Sequence, residues 1–278
     1  MIIDSHSHIY SNKIRKNKEK YFADPVFKRF YHSDKAILAG AKDVIDAMDR
    51  YHVDVSVVFG FPWKNLSVLQ EQNDYIIETV EKYPGRLIGF CCLDLFIKDA
   101  AREVERCVEA GLQGVGELFF HKRGIDDESV KVLSPIMEIC LEKDLPVLIH
   151  TNEPIGHMYP GKTPITLRQI YNMVKQFPKN KIILAHMGGG VFFFNLLKKE
   201  VKESLENVYF DTAVSTLLYD SRMLPIAIDI IGADKIIFGS DFPIEVSGNY
   251  FKAFRKAGIT QEAMEKVCGM NMKRILNL

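Results

Sequence analysis

The chain has 278 residues, 47% of them hydrophobic, which suffices to bury the core of one barrel-sized domain, and we expect that domain to span residues 1–278. Its 36 Lys and Arg residues balance 36 Asp and Glu residues, and this zero net charge argues against a nucleic-acid partner. We find no targeting leader and no apolar run long enough to span a membrane, so we expect a cytoplasmic protein without a membrane partner. The five cysteines are an odd number in a large domain, so we expect no disulfide framework, which also favours the cytoplasm.

Eight apolar, strand-like runs alternate with helix-like stretches along the chain. We place the strands at Ile2–Ser5, Val53–Phe59, Leu87–Leu93, Gly114–Phe119, Val147–His150, Ile182–His186, Val208–Asp211 and Ile236–Ser240. Strands that are apolar throughout are buried on both faces, as parallel strands are. Between the strands, Ser67 and Gln70 predict a capping box for the helix that runs to Lys82. Eight such units predict an α/β protein with a (β/α)8 TIM-barrel fold.

Several of these strands lead into residues that can bind a metal ion. The first strand leads into His6 and His8, and two neighbouring imidazoles can hold one ion through their ring nitrogens. Three later strands end in His150, His186 and Asp241, and a fourth leads into Glu117; any one of these residues is equally well explained as a hydrogen-bonded strand end. Because all of them lie at carboxyl ends of parallel strands, their agreement in position predicts a metal site at the C-terminal mouth of the barrel.

Strand alternation predicts how these side chains face each other. Asp4, His6 and His8 are expected on one side of the first strand, and Gly239 and Asp241 on one side of the eighth, with Gly239 leaving space beneath the carboxylate. Three nitrogen or oxygen donors and an open position suit a catalytic zinc ion, which lowers the pKa of bound water. A carboxylate beside that water, here Asp241, can take its proton. The residues alone therefore predict a metal-dependent hydrolase.

The combined pattern resembles the amidohydrolase superfamily, in particular the branch that contains aminocarboxymuconate-semialdehyde decarboxylase. The matching segments are Ile3–His8, Pro146–His150, Ala185–Gly189, Val208–Asp211, Phe238–Pro243 and Asn271–Leu276. They are spread over nearly the entire chain and in combination are specific for the fold and the metal site. They say little about the substrate.

The resemblance implies roles for four of the candidate residues. His6 and His8 would be metal ligands from the first strand, and His150 would be the ligand from the fifth strand. Asp241 would be the ligand of the eighth strand or the residue that shuttles a proton. The implied cofactor is one or two divalent metal ions, with zinc as the first choice, although manganese and iron suit the same donors.

The roles implied for Glu117 and His186 depend on the number of ions. In relatives with one ion, the histidine at the position of His186 polarises the substrate or handles protons, and in relatives with two it binds the second ion. Glu117 looks like the bridging glutamate of dinuclear relatives, including the TatD-like hydrolases. The alternative is that Glu117 accepts a hydrogen bond from a histidine ring. Asp241 and His186 are the predicted catalytic residues.

Two further acidic residues are predicted to support this site. Asp4 is expected to be a structural anchor, since carboxylates behind a ligand histidine fix its orientation. Asp211, at the end of the seventh strand, is expected to hydrogen-bond a ligand histidine.

Two long connections and one basic segment surround the predicted site. Tyr10–Ala41 follows the first strand and Thr151–Pro164 follows the fifth, and both fall on the C-terminal face, where they are expected to form a lid or a substrate wall. His121, Lys122 and Arg123 follow the fourth strand and could meet an anionic group of the substrate. The alternative for these three residues is a solvated loop.

The predicted function is hydrolysis of a small-molecule ester, lactone or amide by metal-activated water. The alternative is a metal-dependent, non-redox decarboxylase or hydratase, which should present an arginine towards the metal for the departing carboxylate. A TatD-like phosphoesterase is disfavoured by the zero net charge and by the sequence of Phe238–Pro243. A barrel with a purely structural metal would have no open coordination site. The expected partners are a small-molecule substrate and, from the resemblance, a second copy of the chain in a homodimer.

Overall fold

Eight parallel strands close into a barrel in the computed structural model, which describes all residues from 1 to 278. The strands are β1 (Ile3–His8), β2 (Val55–Phe59), β3 (Leu87–Gly89), β4 (Val115–Leu118), β5 (Val147–Ile149), β6 (Ile182–Leu184), β7 (Val208–Asp211) and β8 (Ile236–Ile237). Strands β1–β3 pair in order, and so do β4–β8. The main-chain N–H of Cys91 donates to Gly114 at 2.9 Å, and that of Ser5 donates to Phe238 at 2.9 Å, so both gaps between the two sets are bridged. The predicted (β/α)8 fold is confirmed.

Helices follow the strands and surround the barrel. They are α1 (Asn12–Lys16), α2 (Pro25–Tyr31), α3 (Ala41–Tyr51), α4 (Leu66–Lys82), α5 (Ala100–Glu109), α6 (Asp127–Glu142), α7 (Leu167–Gln176), α8 (Lys199–Ser204), α9 (Ser215–Leu218), α10 (Met223–Ile231), α11 (Ser247–Lys256), α12 (Gln261–Glu265) and α13 (Asn271–Ile275). None of them is long and apolar enough to cross a membrane. The predicted cap of α4 is wrong, because the helix begins one residue before Ser67. Asn65 caps it by accepting a hydrogen bond from the main-chain N–H of Val68 at 3.1 Å.

The eight predicted strands are all present, but most are shorter than the apolar runs that predicted them. In the third apolar run, Leu87–Leu93, the pairing with the neighbouring strand ends at Gly89. In the eighth, Ile236–Ser240, the strand ends at Ile237. Beyond these points the chain leaves the regular ladder. Apolar residues after the last ladder bond remain buried, as Phe238 does, which is why the sequence pattern continues past the strand.

Two apolar layers hold the barrel together. The inner layer fills the barrel with side chains from alternate strand positions, among them Ile3, Val57, Phe59, Leu148, Ile183 and Ile237. The outer and larger layer packs the other strand faces against the helices. All five cysteines are buried and unpaired.

Strand β1 contains an irregularity that changes the facing of its side chains. Asp4 pairs with Ser56 and Ser7 pairs with Val58, so two residues of β1 lie opposite the single residue between Ser56 and Val58. Such a bulge interrupts alternation. The prediction that Asp4 shares a side with His6 is therefore wrong.

The carboxylate of Asp4 instead joins the first strand to the last. It accepts hydrogen bonds from the main-chain N–H of Ser240 at 2.9 Å, from the Ser240 hydroxyl at 2.5 Å and from the main-chain N–H of His6 at 3.1 Å. Burial raises its pKa to about 6, against the effect of the hydrogen bonds from Ser240 and His6. Asp4 is thus the structural anchor that the sequence predicts.

We expect Asp4→Ala to lower the free energy of unfolding by about 3 kcal/mol or more, because several buried donors lose their acceptor. Urea denaturation of the wild type and the variant measures this difference. The matched control is Asp46→Ala, which removes an exposed carboxylate paired with Lys42 and should cost less than about 1 kcal/mol. Equal losses in the two variants would contradict the anchoring role of Asp4.

Candidate metal centre

The structure brings together six side chains that the sequence singles out, at the C-terminal mouth of the barrel. They are His6, His8, Glu117, His150, His186 and Asp241. All except His8 are at most 7% exposed. We refer to these residues as the six-residue cluster.

One part of the cluster lies between β1 and the end of β8. Nε2 of His6 is 3.6 Å from Oδ1 of Asp241 and 3.7 Å from Oε2 of Glu117. Nε2 of His8 is 3.4 Å from the same oxygen of Asp241 and 3.6 Å from the same oxygen of Glu117. Two imidazoles and two carboxylates therefore point at one small volume.

The other part lies between β4, β5 and β6. Oε1 of Glu117 is 3.0 Å from Nδ1 of His150 and 3.4 Å from Nε2 of His186. The two ring nitrogens are 3.2 Å apart. Glu117 belongs to both groups of possible ligands, with His6 and His8 through one oxygen and with His150 and His186 through the other. This is the placement that a bridging carboxylate requires.

Hydrogen bonds behind the rings fix the direction in which the histidines point. Nδ1 of His6 donates to Asp211 at 2.8 Å, Nδ1 of His8 to the carbonyl of Gly60 at 3.1 Å, and Nδ1 of His186 to the carbonyl of Ala213 at 3.0 Å. Each bond leaves Nε2 free to face the cluster, as in metal sites where a partner holds the far ring nitrogen.

His150 has the opposite orientation. Its Nε2 donates to the carbonyl of Gly161 at 2.9 Å, so Nδ1 faces Glu117. Carbonyl partners such as that of Gly161 have no signature in the sequence, since every residue carries one.

Asp211 organises both parts of the cluster. One oxygen accepts from the ring of His6, and the other accepts from the main-chain N–H of His186 at 2.8 Å and of Ala213 at 3.0 Å. The carboxylate is fully buried. The predicted hydrogen bond between Asp211 and a candidate histidine is present, and the second one, which Asp211 accepts from the main-chain N–H of His186, is one that sequence reasoning missed.

Two polar atoms of the cluster lack a partner within the protein. Nε2 of His6 and Oδ1 of Asp241 are buried and make no hydrogen bond. A buried polar atom without a partner is costly, and a cation between a ring nitrogen and a carboxylate oxygen removes that cost. Imidazole and carboxylate donors together suit divalent ions such as zinc and manganese. The residues present therefore fit a divalent metal.

The charges of the cluster stabilise protonated histidine when no metal is bound. Burial alone lowers the pKa of His6, but the negative charges of Glu117, Asp211 and Asp241 outweigh it and raise this pKa to about 10. Burial favours neutral Glu117, but the charges of His150 and His6 hold its pKa well below the usual value. The carboxylates thus create a negative potential that a divalent cation can neutralise.

The glycine run after β6 lets the chain turn sharply beside the cluster. Gly188, Gly189 and Gly190 all have positive φ angles. A Cβ atom on Gly189 would lie 2.3 Å from the carbonyl oxygen of Asn152, which no side chain tolerates. Close passage of the backbone therefore accounts for Gly189, and the positive φ angle accounts for Gly190.

A cavity of about 690 Å³ opens above the cluster, and we call it the mouth cavity. His8, Glu117, His150, His186 and Asp241 line its floor. Its walls come largely from the two long connections, as predicted, and include the aromatic rings of Phe30, Tyr31, Phe61 and Phe119. No arginine lines the mouth cavity, so the feature expected of a lyase is not met there.

Comparison with known proteins identifies relatives of the whole chain. The family model described as amidohydrolase matches residues 3–278. A 2-amino-3-carboxymuconate-6-semialdehyde decarboxylase of Dictyostelium discoideum is 26% identical over 99% of this chain and 91% of its own length. A gamma-resorcylate decarboxylase of a Polaromonas species is 26% identical over 74% of this chain and 75% of its own length.

Solved structures share the fold. The 5-carboxyvanillate decarboxylase of Sphingomonas paucimobilis superposes with a TM-score of 0.77 at 17% identity, covering 100% of this chain and 99% of its own. A dihydroxybenzoic acid decarboxylase of a Polaromonas species was solved with bound manganese and an inhibitor. It superposes with a TM-score of 0.71 at 20% identity, and the match covers 100% of this chain and 97% of the decarboxylase.

The prediction of hydrolysis is wrong. The named relatives in sequence and in structure are decarboxylases, which agrees with the alternative drawn from the sequence. The physical reason is that the ligand set defines where a metal binds, whereas the same ions serve both hydrolysis and carbon–carbon bond cleavage. Zinc as the specific ion stays a prediction.

We expect Glu117→Gln to reduce the bound metal from two ions per chain to one, because Glu117 is the only carboxylate shared by both groups of ligands. Plasma mass spectrometry on protein purified without chelator measures the metal content. The control is Glu153→Gln, which changes a carboxylate of the mouth cavity outside the cluster. One ion in both the wild type and Glu117→Gln would show that Glu117 is only a hydrogen-bond partner of His150.

We also expect metal binding to release at least one proton per chain at neutral pH. His6 is protonated in the metal-free protein because its pKa is about 10, and a cation at Nε2 displaces that proton. The affinity should therefore rise about tenfold per pH unit between about pH 6 and pH 8. Calorimetric titration in buffers of different ionisation enthalpy measures the protons released. An affinity that does not change over this range would contradict the raised pKa.

Proposed function

This chain is an enzyme of the amidohydrolase family, whose model it matches from residue 3 to residue 278, and we propose that it catalyses metal-dependent, non-redox decarboxylation of a small carboxylic acid. The observation that carries the proposal is that relatives with two different substrates, a carboxymuconate semialdehyde and a resorcylate, are both decarboxylases. The aromatic walls of the mouth cavity support a planar, conjugated or aromatic acid as the substrate.

We propose that His6, His8 and Asp241 bind one divalent ion and that Glu117 bridges it to a second ion. The second ion would be held by His150 and His186. Manganese is supported by the Polaromonas structure that contains it, and zinc suits the same donors. When bound, the metal would supply positive charge to orient the substrate and to stabilise the negative charge left on it when carbon dioxide departs.

The reaction needs one proton. The bond between the carboxylate carbon and the substrate breaks, carbon dioxide leaves, and the electron pair stays on the substrate carbon, which must then take up a proton. Asp241 is suited to relay it, because its carboxylate lines the mouth cavity and can take up a proton and pass it to that carbon. The main-chain N–H of Asp241 donates to the carbonyl of His6 at 3.0 Å, which holds the carboxyl group beside the candidate ligands.

His186 is the second candidate for moving a proton. Its Nδ1 is committed to the carbonyl of Ala213, so Nε2 is the nitrogen that can exchange a proton with the cavity. The negative charge of Glu117, which is within 3.4 Å, raises the pKa of His186 against the effect of burial. Whether His186 binds the second ion or handles the proton depends on the number of ions bound.

Tyr31 is suited to bind a substrate oxygen. Its hydroxyl is 2.6 Å from that of Tyr10, which is fully buried and has no other partner. Tyr10 must therefore donate, since otherwise its own hydrogen would be unsatisfied, and the hydrogen of Tyr31 is left for the mouth cavity. Burial raises the pKa of both phenols, so both stay protonated at neutral pH.

The homodimer, the single domain over residues 1–278 and the cytoplasmic location are retained as proposals. The resemblance supports the dimer, and the chain length supports the single domain.

We expect the purified enzyme to release carbon dioxide from a carboxylated substrate in a metal-dependent manner. The panel consists of 2,6-dihydroxybenzoate, 5-carboxyvanillate and 2-amino-3-carboxymuconate-6-semialdehyde. Loss of substrate absorbance and coupled detection of carbon dioxide measure the reaction after treatment with chelator and reloading with manganese or zinc. Activity should disappear with the chelator and return with one of the two ions.

The variant Asp241→Asn should lower kcat by about 10²–10⁴-fold, because the amide cannot deliver the proton. The matched control, Asp229→Asn, changes an exposed acidic residue of α10 and should leave kcat unchanged. Turnover of esters, lactones or amides without release of carbon dioxide from any member of the panel would contradict the proposed function.

A further inference from the structure

Four large aliphatic side chains line the mouth cavity and yet are mostly exposed to solvent. They are Ile37, Ile155, Leu217 and Ile244, each between 60% and 79% exposed. A side chain that lines a cavity and is mostly exposed lies where the cavity meets the solvent. We call these four residues the aliphatic rim.

The aliphatic rim is assembled from four separate segments of the chain. Ile37 lies between α2 and α3, Ile155 follows β5, Leu217 belongs to α9, and Ile244 follows β8. Single exposed apolar residues are ordinary on a protein surface. Four that converge on the opening of one cavity are typical of a ligand-binding surface.

The lining of the mouth cavity changes in character from the floor to the opening. The charged side chains of the six-residue cluster form the floor, and the aromatic rings lie next to them. The ring of Phe119 is 4.7 Å from that of His150, Phe30 is 5.7 Å from Phe119, and Phe61 is 6.0 Å from Phe30. The cavity therefore presents polar, then aromatic, then aliphatic surface.

The opening of the cavity offers no free carboxylate. Outside the six-residue cluster, Glu153 is the only acidic residue of the lining, and its oxygens are 2.7 Å from Nζ of Lys162 and 2.7 Å from the hydroxyl of Tyr159. Lys35 is the only lysine or arginine of the lining. The segment His121–Arg123, considered for an anionic group of the substrate, does not line the mouth cavity.

The mouth cavity has room for a molecule larger than a single-ring acid. Its volume of about 690 Å³ lies within the range of about 300–1,000 Å³ that is typical of sites for drug-sized ligands. An aliphatic substituent that covers the rim would remove apolar surface from water on both sides of the contact. The gain in binding constant is about fourfold for each methylene group that is fully buried.

A second copy of the chain is the other candidate to cover the aliphatic rim. The rim lies at the opening of the cavity whose floor holds the candidate metal ligands. A subunit seated on the rim would obstruct this route to the metal centre, whereas a substrate has to occupy the cavity. The position of the rim therefore favours the substrate.

We propose that the aliphatic rim binds an apolar substituent of the substrate. The substrate class is then an aromatic or conjugated acid with an aliphatic extension directed away from its carboxylate. The inference rests on the proposed function, because it places the carboxylate at the metal centre and the ring between the aromatic walls.

Calorimetric titration of the manganese-loaded protein with benzoate and with its 4-ethyl, 4-butyl and 4-hexyl derivatives tests the inference. We expect the affinity to rise with the length of the alkyl chain, so that 4-hexylbenzoate binds about tenfold or more tightly than benzoate. Ile155→Ser and Leu217→Ser should each reduce this advantage about threefold or more and leave the affinity for benzoate unchanged. Met158→Ser is the matched control, because Met158 is 74% exposed in the same connection as Ile155 but does not line the cavity.

Circular dichroism establishes that each variant is folded, and sedimentation velocity measures the size of the assembly. The inference is overturned if neither ligand binds, if 4-hexylbenzoate binds no more tightly than benzoate, or if the folded Ile155 and Leu217 variants keep the full advantage. It is also overturned if these variants dissociate an oligomer, which would identify the rim as a subunit interface.

The titrations separate this inference from the proposed function because they measure binding without turnover. Affinity that depends on chain length, without release of carbon dioxide from any acid, would support the apolar site and contradict decarboxylation. Release of carbon dioxide together with affinity that is independent of chain length would support decarboxylation and overturn the role of the rim.

Discussion

Closure of the barrel between β8 and β1 is the contact on which the candidate metal centre depends. His6 and Asp241 are separated by most of the chain, and the main-chain hydrogen bond from Asp241 to the carbonyl of His6 places them side by side. Asp4 strengthens the same seam from the outer side through Ser240. The mouth of the barrel can gather donors from β1, β4, β5, β6 and β8 only if the seam is closed, so stability and metal binding share one set of hydrogen bonds.

The sequence predicts the fold and the location of the site because both depend on local patterns. An apolar run that ends in His or Asp marks a buried parallel strand and its carboxyl end, and that pattern identifies His150, His186 and Asp241 without further information. The contacts that orient the rings could not be predicted in this way. Gly60 and Ala213 contribute only main-chain carbonyls, and such groups are identical in every residue.

The errors of sequence reasoning have equally specific causes. Alternation places Asp4 beside His6 only in a regular strand, and the bulge in β1 removes that condition. Hydrolysis was inferred from donors that suit a metal ion, but such donors do not distinguish hydrolysis from decarboxylation, and we propose that the walls of the mouth cavity select the substrate. Those walls come from long connections such as Thr151–Pro164, whose course depends on side-chain contacts without a regular spacing, for example that of Lys162 with Glu153.

The bulge in β1 also determines which changes in chain length the first strand can accommodate. Ser5 and His6 together lie opposite one residue of β2, while Asp4 and Ser7 keep regular partners. A strand one residue shorter at Ser5 would have an unbroken ladder and would still direct Asp4 outward and His6 inward. Removal of one residue at this position therefore preserves the facing of the histidines, whereas removal of one residue between His6 and His8 would turn one imidazole away from the mouth. The spacing within the histidine pair is thus fixed by the alternation of the strand, whereas the bulge before it is not required for the facing of either imidazole.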